Sequence, residues 1–112
     1  MEHRVQDCIA SCEKCQAACL RAITQGLETG GEYSRLEHIR LLLDCAESCQ
    51  VSANFLLRGS PSAGYFCSVG ARLCDRYVRD YKRLSGLEAC VAACEKAAAL
   101  CRQMGKLPLE GI

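Results

Sequence analysis

At 112 residues with a formal net charge of +1, the chain suits one domain and gives no electrostatic case for nucleic acid or an acidic partner. Aromatics make up only 5% and Trp is absent, so any core must be built from Leu, Ala, Val, Ile and Cys. Eleven cysteines dominate the composition, and a domain of this size can bury enough core to fold without disulfides.

Such cysteine density is common in secreted disulfide scaffolds. Two features oppose that reading. The opening run Met1-Glu2-His3-Arg4-Val5-Gln6-Asp7-Cys8 has no apolar segment of the secretory kind. The cysteine count is odd, which leaves at least one thiol unpaired. No apolar run reaches the roughly 18 residues of a membrane-spanning helix. The expected compartment is the reducing cytoplasm, where clustered cysteines point to metal or redox chemistry.

Taken in chain order, the first predicted helix covers 2–26, and the glycines from Gly26 to Gly31 form the following loop. A second helix is predicted over 32–58. Gly59-Ser60-Pro61 reads as a helix stop followed by an N-cap Ser and an N1 Pro. A third helix spans 61–83 and breaks at Ser85-Gly86. The fourth spans 87–104 and is closed by Gly105 and Pro108. All four segments are rich in Ala, Leu, Glu, Arg and Lys and lack alternation of period two. Short connections between four helices of similar length predict a single all-α domain over 1–112, an antiparallel up-down-up-down bundle.

The cysteines follow the helical period. Helix 1 carries Cys8, Cys12, Cys15 and Cys19 at offsets 0, 4, 7 and 11. Helix 2 carries Cys45 and Cys49, helix 3 carries Cys67 and Cys74, and helix 4 carries Cys90, Cys94 and Cys101. At about 100° per residue, each set falls on one seam of its helix, and in a bundle the seams face the common axis. Residues four apart have Cβ atoms about 5–6 Å apart, too far for the roughly 3.5–4.5 Å of a disulfide. Two metal–thiolate bonds of about 2.3 Å span that gap better. Folding the chain back at each loop predicts a layer of Cys12, Cys45, Cys74 and Cys94. Cys8 and Cys49 then lie to one side, Cys15 and Cys90 to the other, and Cys67 and Cys101 near one end.

Thiolates select soft metals: copper(I), zinc or iron–sulfur. Iron–sulfur cysteines usually sit on loops at closer spacing. Zinc would take the four-cysteine layer as a closed tetrahedron and leave seven thiols without a role. Copper(I) shares thiolates and suits a long sulfur column, with about five ions per chain at two thiols each. The function expected is therefore binding and storage of several copper(I) ions. The alternatives are a structural or regulatory zinc protein and a thiol redox sensor. A sensor needs an exposed thiol of low pKa beside a resolving partner, and the nearest C-x-x-C, Cys12-x-x-Cys15, lies inside a helix. No nucleophile–base set or phosphate loop argues for an enzyme.

Several other residues share the thiol face. His38 lies seven residues before Cys45. It is either a nitrogen donor at the mouth of the column or a partly exposed helix-end histidine. Met104 follows Cys101 by three, and is either a soft copper ligand or a core methionine. Tyr77 and Tyr81 sit on the helix 3 seam near His38 and are expected to pack there. His3 belongs to the terminus and carries no assignment. Helix 2 has a second apolar stripe, Ile39, Leu43, Ala46, Ala53 and Leu57, suited to another subunit or to a neighbouring helix.

The stretch His38-Ile39-Arg40-Leu41-Leu42-Leu43-Asp44-Cys45-Ala46-Glu47-Ser48-Cys49 continues into Ser52-Ala53-Asn54-Phe55 and Arg58-Gly59-Ser60-Pro61. With the Cys-x-x-x-Cys strips at Cys8 and Cys90, it resembles the cysteine-rich four-helix-bundle copper storage proteins, specifically their cytosolic branch. The resemblance covers nearly the whole chain. It implies copper(I) along the bundle axis, no catalytic turnover, and a homo-oligomer, with a tetramer favoured. The chain departs from the family at Gly70, Tyr77, Tyr81 and Ala97, where denser cysteine runs are usual. It departs again near Ala63 and Gly64, where a His often follows the Ser-Pro turn. These departures imply a smaller copper load than is typical, or a retuned ligand set.

Overall fold

The computed structural model describes residues 2–105 and comprises four helices: α1 His3–Thr29, α2 Leu36–Leu57, α3 Ala63–Tyr81 and α4 Glu88–Gly105. One short 3-10 turn, Gly31–Ser34, lies between α1 and α2. The helices pack as neighbours in the order α1–α2–α3–α4, with α4 returning against α1, so the expected up-down-up-down bundle is present. Pro108, expected to close the last helix, lies outside the described residues.

Local chemistry accounts for the ends. The Glu2 carboxylate accepts from the Arg4 N–H at 3.3 Å to open α1. At the end of α2, Gly59 takes φ +64, its N–H reaches the Leu56 carbonyl at 3.1 Å, and the Ser60 N–H reaches Phe55 at 3.0 Å. That pair of bonds is a Schellman closure, which needs a residue free of a Cβ at the left-handed position. The following turn differs from the sequence expectation. α3 begins at Ala63, and Ser60 uses its hydroxyl to accept from the Ser62 N–H at 3.1 Å within the turn.

α1 also runs past its expected end. The glycine cluster does not stop the helix at Gly26; the chain reverses over Gly30–Arg35 instead. Gly26 is buried where the chain comes back, and a Cβ there would lie 2.7 Å from the Tyr33 carbonyl oxygen. The Tyr33 hydroxyl donates to the Ser85 carbonyl at 2.8 Å, and Arg83 pairs with Glu32. These contacts tie the α1–α2 connection to the α3–α4 connection at one end of the bundle. The other end holds the N-terminus, the Gly59–Ser62 turn and the end of α4.

The core is built from small side chains. All eleven cysteines are buried and free, interleaved with Ala18, Ala22, Ala46, Ala53, Ala71, Ala97 and Ala98. Larger groups such as Leu42, Tyr77 and Met104 sit among them. The second stripe of α2 divides: Ala46 and Ala53 are buried, whereas Leu43 and Leu57 are exposed.

Gly26→Ala tests the tight reversal. Alanine gains about 1 kcal/mol of helix propensity, but the clash is with backbone, and overpacking of that kind costs about 1–3 kcal/mol. The Tyr33 carbonyl is held in place by its bond to His38 and cannot easily retreat. The expected result is a lower denaturant midpoint, worth up to about 2 kcal/mol net, with the helical signal retained below the transition.

Candidate metal centre

Each helix delivers its cysteines to the axis because the seam spacing matches the helical turn. The sulfurs then meet across helices. Cys8 and Cys101 Sγ atoms are 3.8 Å apart, Cys12 and Cys101 3.5 Å, Cys15 and Cys94 3.6 Å, and Cys19 and Cys94 3.9 Å. Cys15 and Cys49 each lie 4.0 Å from Cys74, and Cys90 lies 3.8 Å from Cys19. The Cys45 thiol donates to the Leu73 carbonyl at 3.4 Å.

Four triads have all their sulfurs within 4.8 Å of one another: Cys8–Cys12–Cys101, Cys15–Cys19–Cys94, Cys15–Cys49–Cys74 and Cys45–Cys74–Cys94. A trigonal ion with bonds of about 2.3 Å places its sulfurs about 4.0 Å apart. The contacts therefore lie near trigonal thiolate spacing without the metal, and far outside the roughly 2.05 Å of a disulfide. Three of the triads share members, so one thiolate could bridge two ions.

The predicted layer is displaced by a turn. Cys45, Cys74 and Cys94 come together, but Cys12 joins Cys8 and Cys101, and Cys15 stands where Cys12 was expected. The extension of α1 to Thr29 and the later reversal at Gly30–Arg35 account for the shift, since one helical turn is about 5.4 Å. The tetrahedral layer proposed for zinc is not assembled.

Burial in a core of low polarity disfavours charged thiolates, and the sulfurs compensate by donating to one another. The Cys15 thiol is pulled down by S–H donation from Cys19, Cys49, Cys74 and Cys94. Cys45 is lowered by Cys19, Cys74 and Cys94. Cys94 is pushed up because its proton serves Cys15, Cys19, Cys45 and Cys74, with burial adding to the effect. Within these pairs either sulfur can donate, and a bound cation would replace the shared protons.

His38 is fully buried at the reversal end. Its Nδ1 is 2.6 Å from the Tyr33 carbonyl oxygen, which only accepts, so Nδ1 carries the proton. Nε2, 3.0 Å from the Tyr77 hydroxyl, then accepts from it. The Tyr81 ring lies tilted against the imidazole with centroids 4.4 Å apart. Both nitrogens are engaged, and Tyr77 stands between His38 and Cys90. Burial first, and then the negative charge of a Cys90 thiolate, raises the Tyr77 phenol. Tyr33, which orients His38, was not singled out from the sequence; it lies in the connection, where no helical period marks it. Met104 is buried one turn beyond Cys101, facing a crevice of about 200 Å³ lined by Val5, Leu56, Ala63 and Gly64. His3 is exposed and pairs with Asp7 at 3.2 Å.

Comparison with known proteins agrees with this geometry. The Nmul_A1745 protein of Nitrosospira multiformis, known from its crystal structure, is 40% identical, with 94% of this chain and 97% of that chain covered and a TM-score of 0.90. The copper(I)-bound copper storage protein BsCsp3 is 27% identical, covering 92% and 99%, with a TM-score of 0.84. The uncharacterized cysteine-rich protein YhjQ of Bacillus subtilis is 28% identical over 111 residues, 93% of this chain and 98% of that protein. The sequence profile of the copper storage protein family, Csp, matches residues 1–106, and the chain belongs to that family.

Proposed function

We propose that the chain binds and buffers several copper(I) ions in the cytoplasm through thiolates along the bundle axis, without catalytic turnover. One observation carries the reading: eleven free, buried cysteines converge from four helices into overlapping triads at metal-bridging distance. Similarity to a copper(I)-bound storage protein supports the choice of metal. All eleven cysteines serve as ligands, and Met104 adds a soft thioether at one end. His38 becomes a ligand only if the Tyr77 hydroxyl releases its Nε2. Exposed Leu43 and Leu57 on α2, and a groove lined by Val51, Phe66, Val69 and Leu73 together with Asp44, Glu47 and Ser48, support assembly with further copies of the chain, a tetramer being favoured. A zinc role fits less well, because the sulfurs group in threes rather than fours.

Anaerobic titration of the reduced chain with copper(I) against a competing chelator tests the proposal. The expected outcome is tight uptake of about five ions per chain. Uptake of one ion or none would overturn it, and zinc retained at one per chain would favour the alternative.

Acidity should weaken uptake. Each thiol that binds copper loses its proton, so the protein competes less well as pH falls. With two protonated thiols per ion, apparent affinity should drop by up to about a hundredfold per pH unit. The same titration at two pH values, with the chelator's own protonation corrected, reads this. An affinity independent of pH would mean that the thiols are not the ligands.

A further inference from the structure

The sulfurs are not evenly distributed along the axis. α1 and α4 meet in an antiparallel ladder whose rungs are Cys8–Cys101 at 3.8 Å, Cys15–Cys94 at 3.6 Å and Cys19–Cys90 at 3.8 Å. On α1 the cysteine offsets are 0, 4, 7 and 11; on α4 they are 0, 4 and 11, with Ala97 at the remaining place. The rung belonging to Cys12 therefore ends on Ala97, which is fully buried. Cys12 turns to Cys101 instead, at 3.5 Å.

α2 and α3 repeat the omission at the same level. Gly70 on α3 packs beside the turn of α2 that carries Cys49. A Cβ at Gly70 would lie 3.4 Å from the Ser52 hydroxyl and 3.6 Å from that of Ser48. The Ser52 hydroxyl is buried without a hydrogen-bond partner among the described residues. At this level α4 and α3 offer alanine and glycine and α2 adds a hydroxyl beside the Cys12 sulfur of α1, and a hydroxyl is a poor donor for a soft cation.

The sulfur–sulfur contacts found within 4.0 Å among the described residues fall into two sets. One joins Cys8, Cys12 and Cys101, with Cys67 facing Cys8 and Cys101. The other joins Cys15, Cys19, Cys74 and Cys94 with Cys49 and Cys90. Cys45 enters it through Cys74 and Cys94. Across the gap, Cys12 and Cys49 face one another, with no sulfur–sulfur contact within 4.0 Å joining the two sets among the described residues.

We propose that copper(I) is held in two separate clusters, four thiols at the Met104 end and seven at the His38 end, divided at a waist made by Gly70 and Ala97. The division rests on the copper(I) function proposed above. Ions fill a thiolate cluster together because they share bridging sulfurs, and at the waist that sharing is interrupted. At two thiols per ion the clusters take about two and about three ions. Ala97 is the residue that sets the break on α4.

The test is the anaerobic copper(I) titration applied to the full chain and two variants, with helical content checked by circular dichroism. The wild type should load in two steps of unequal size. The variant Cys8→Ala/Cys67→Ala/Cys101→Ala should lose the smaller step, with the midpoint of the larger one unchanged within about twofold, as for independent sites. Ala97→Cys restores a bridging sulfur; it should merge the steps into one and add capacity. If the triple variant does not fold, the wild-type step pattern and Ala97→Cys decide. A single wild-type step, two steps that persist in Ala97→Cys, or a larger-step midpoint that moves with the triple substitution overturns the division. If the wild type takes up no more than one ion, the copper function itself fails; several ions taken up in one step overturn the division alone.

Discussion

Contact between thiols of different helices, at 3.5–4.0 Å, is the constraint on which the rest of the structure depends. A bundle core is ordinarily filled by branched aliphatic groups that fix helix spacing by bulk. Here the axis is filled by cysteine and alanine, so the helices approach until sulfur meets sulfur. The thiol works as a small hydrophobe in the metal-free fold and as a soft ligand once its proton is displaced. One set of side chains thus supplies both the core and the binding site, and the site needs no large rearrangement to come into range of a metal.

The same arrangement leaves all eleven thiols buried and free, with no sulfur–sulfur bond among them. Burial opposes the isolated thiolate, and the nearest sulfurs stand well beyond the length of a covalent bond. A soft cation would remove the obstacle, because its charge would offset that of the thiolates whose protons it displaces. The two ends are finished differently. At one, His38, Tyr77 and Tyr81 form a stacked, hydrogen-bonded plug. At the other, Met104 offers a thioether beside a small crevice.

Much of this was legible in the residues. The seam spacing placed every cysteine on the inward face, because a period near 100° leaves little freedom, and the family resemblance pointed to the metal. Register was not legible to one turn. It depends on where α1 ends, and the glycines at Gly26, Gly30 and Gly31 mark a loop without saying which of them reverses the chain. Gly26 proved to be a close-packing position inside the helix, and Cys15 consequently replaced Cys12 in the central layer. The engagement of His38 was hidden for a related reason: its partner is a backbone carbonyl in the connection. The missing rung at Ala97 was present in the spacing of α4, but it acquires meaning only once α1 and α4 are aligned.

Anomalous diffraction at the copper edge, from crystals of the chain loaded anaerobically, addresses the central claim most directly. The account predicts copper peaks inside the bundle, strung along its axis and each bonded to two or three cysteine sulfurs drawn from different helical turns. Copper found only at surface histidines, carboxylates or the termini, with the axial thiols still protonated and unoccupied, would contradict it.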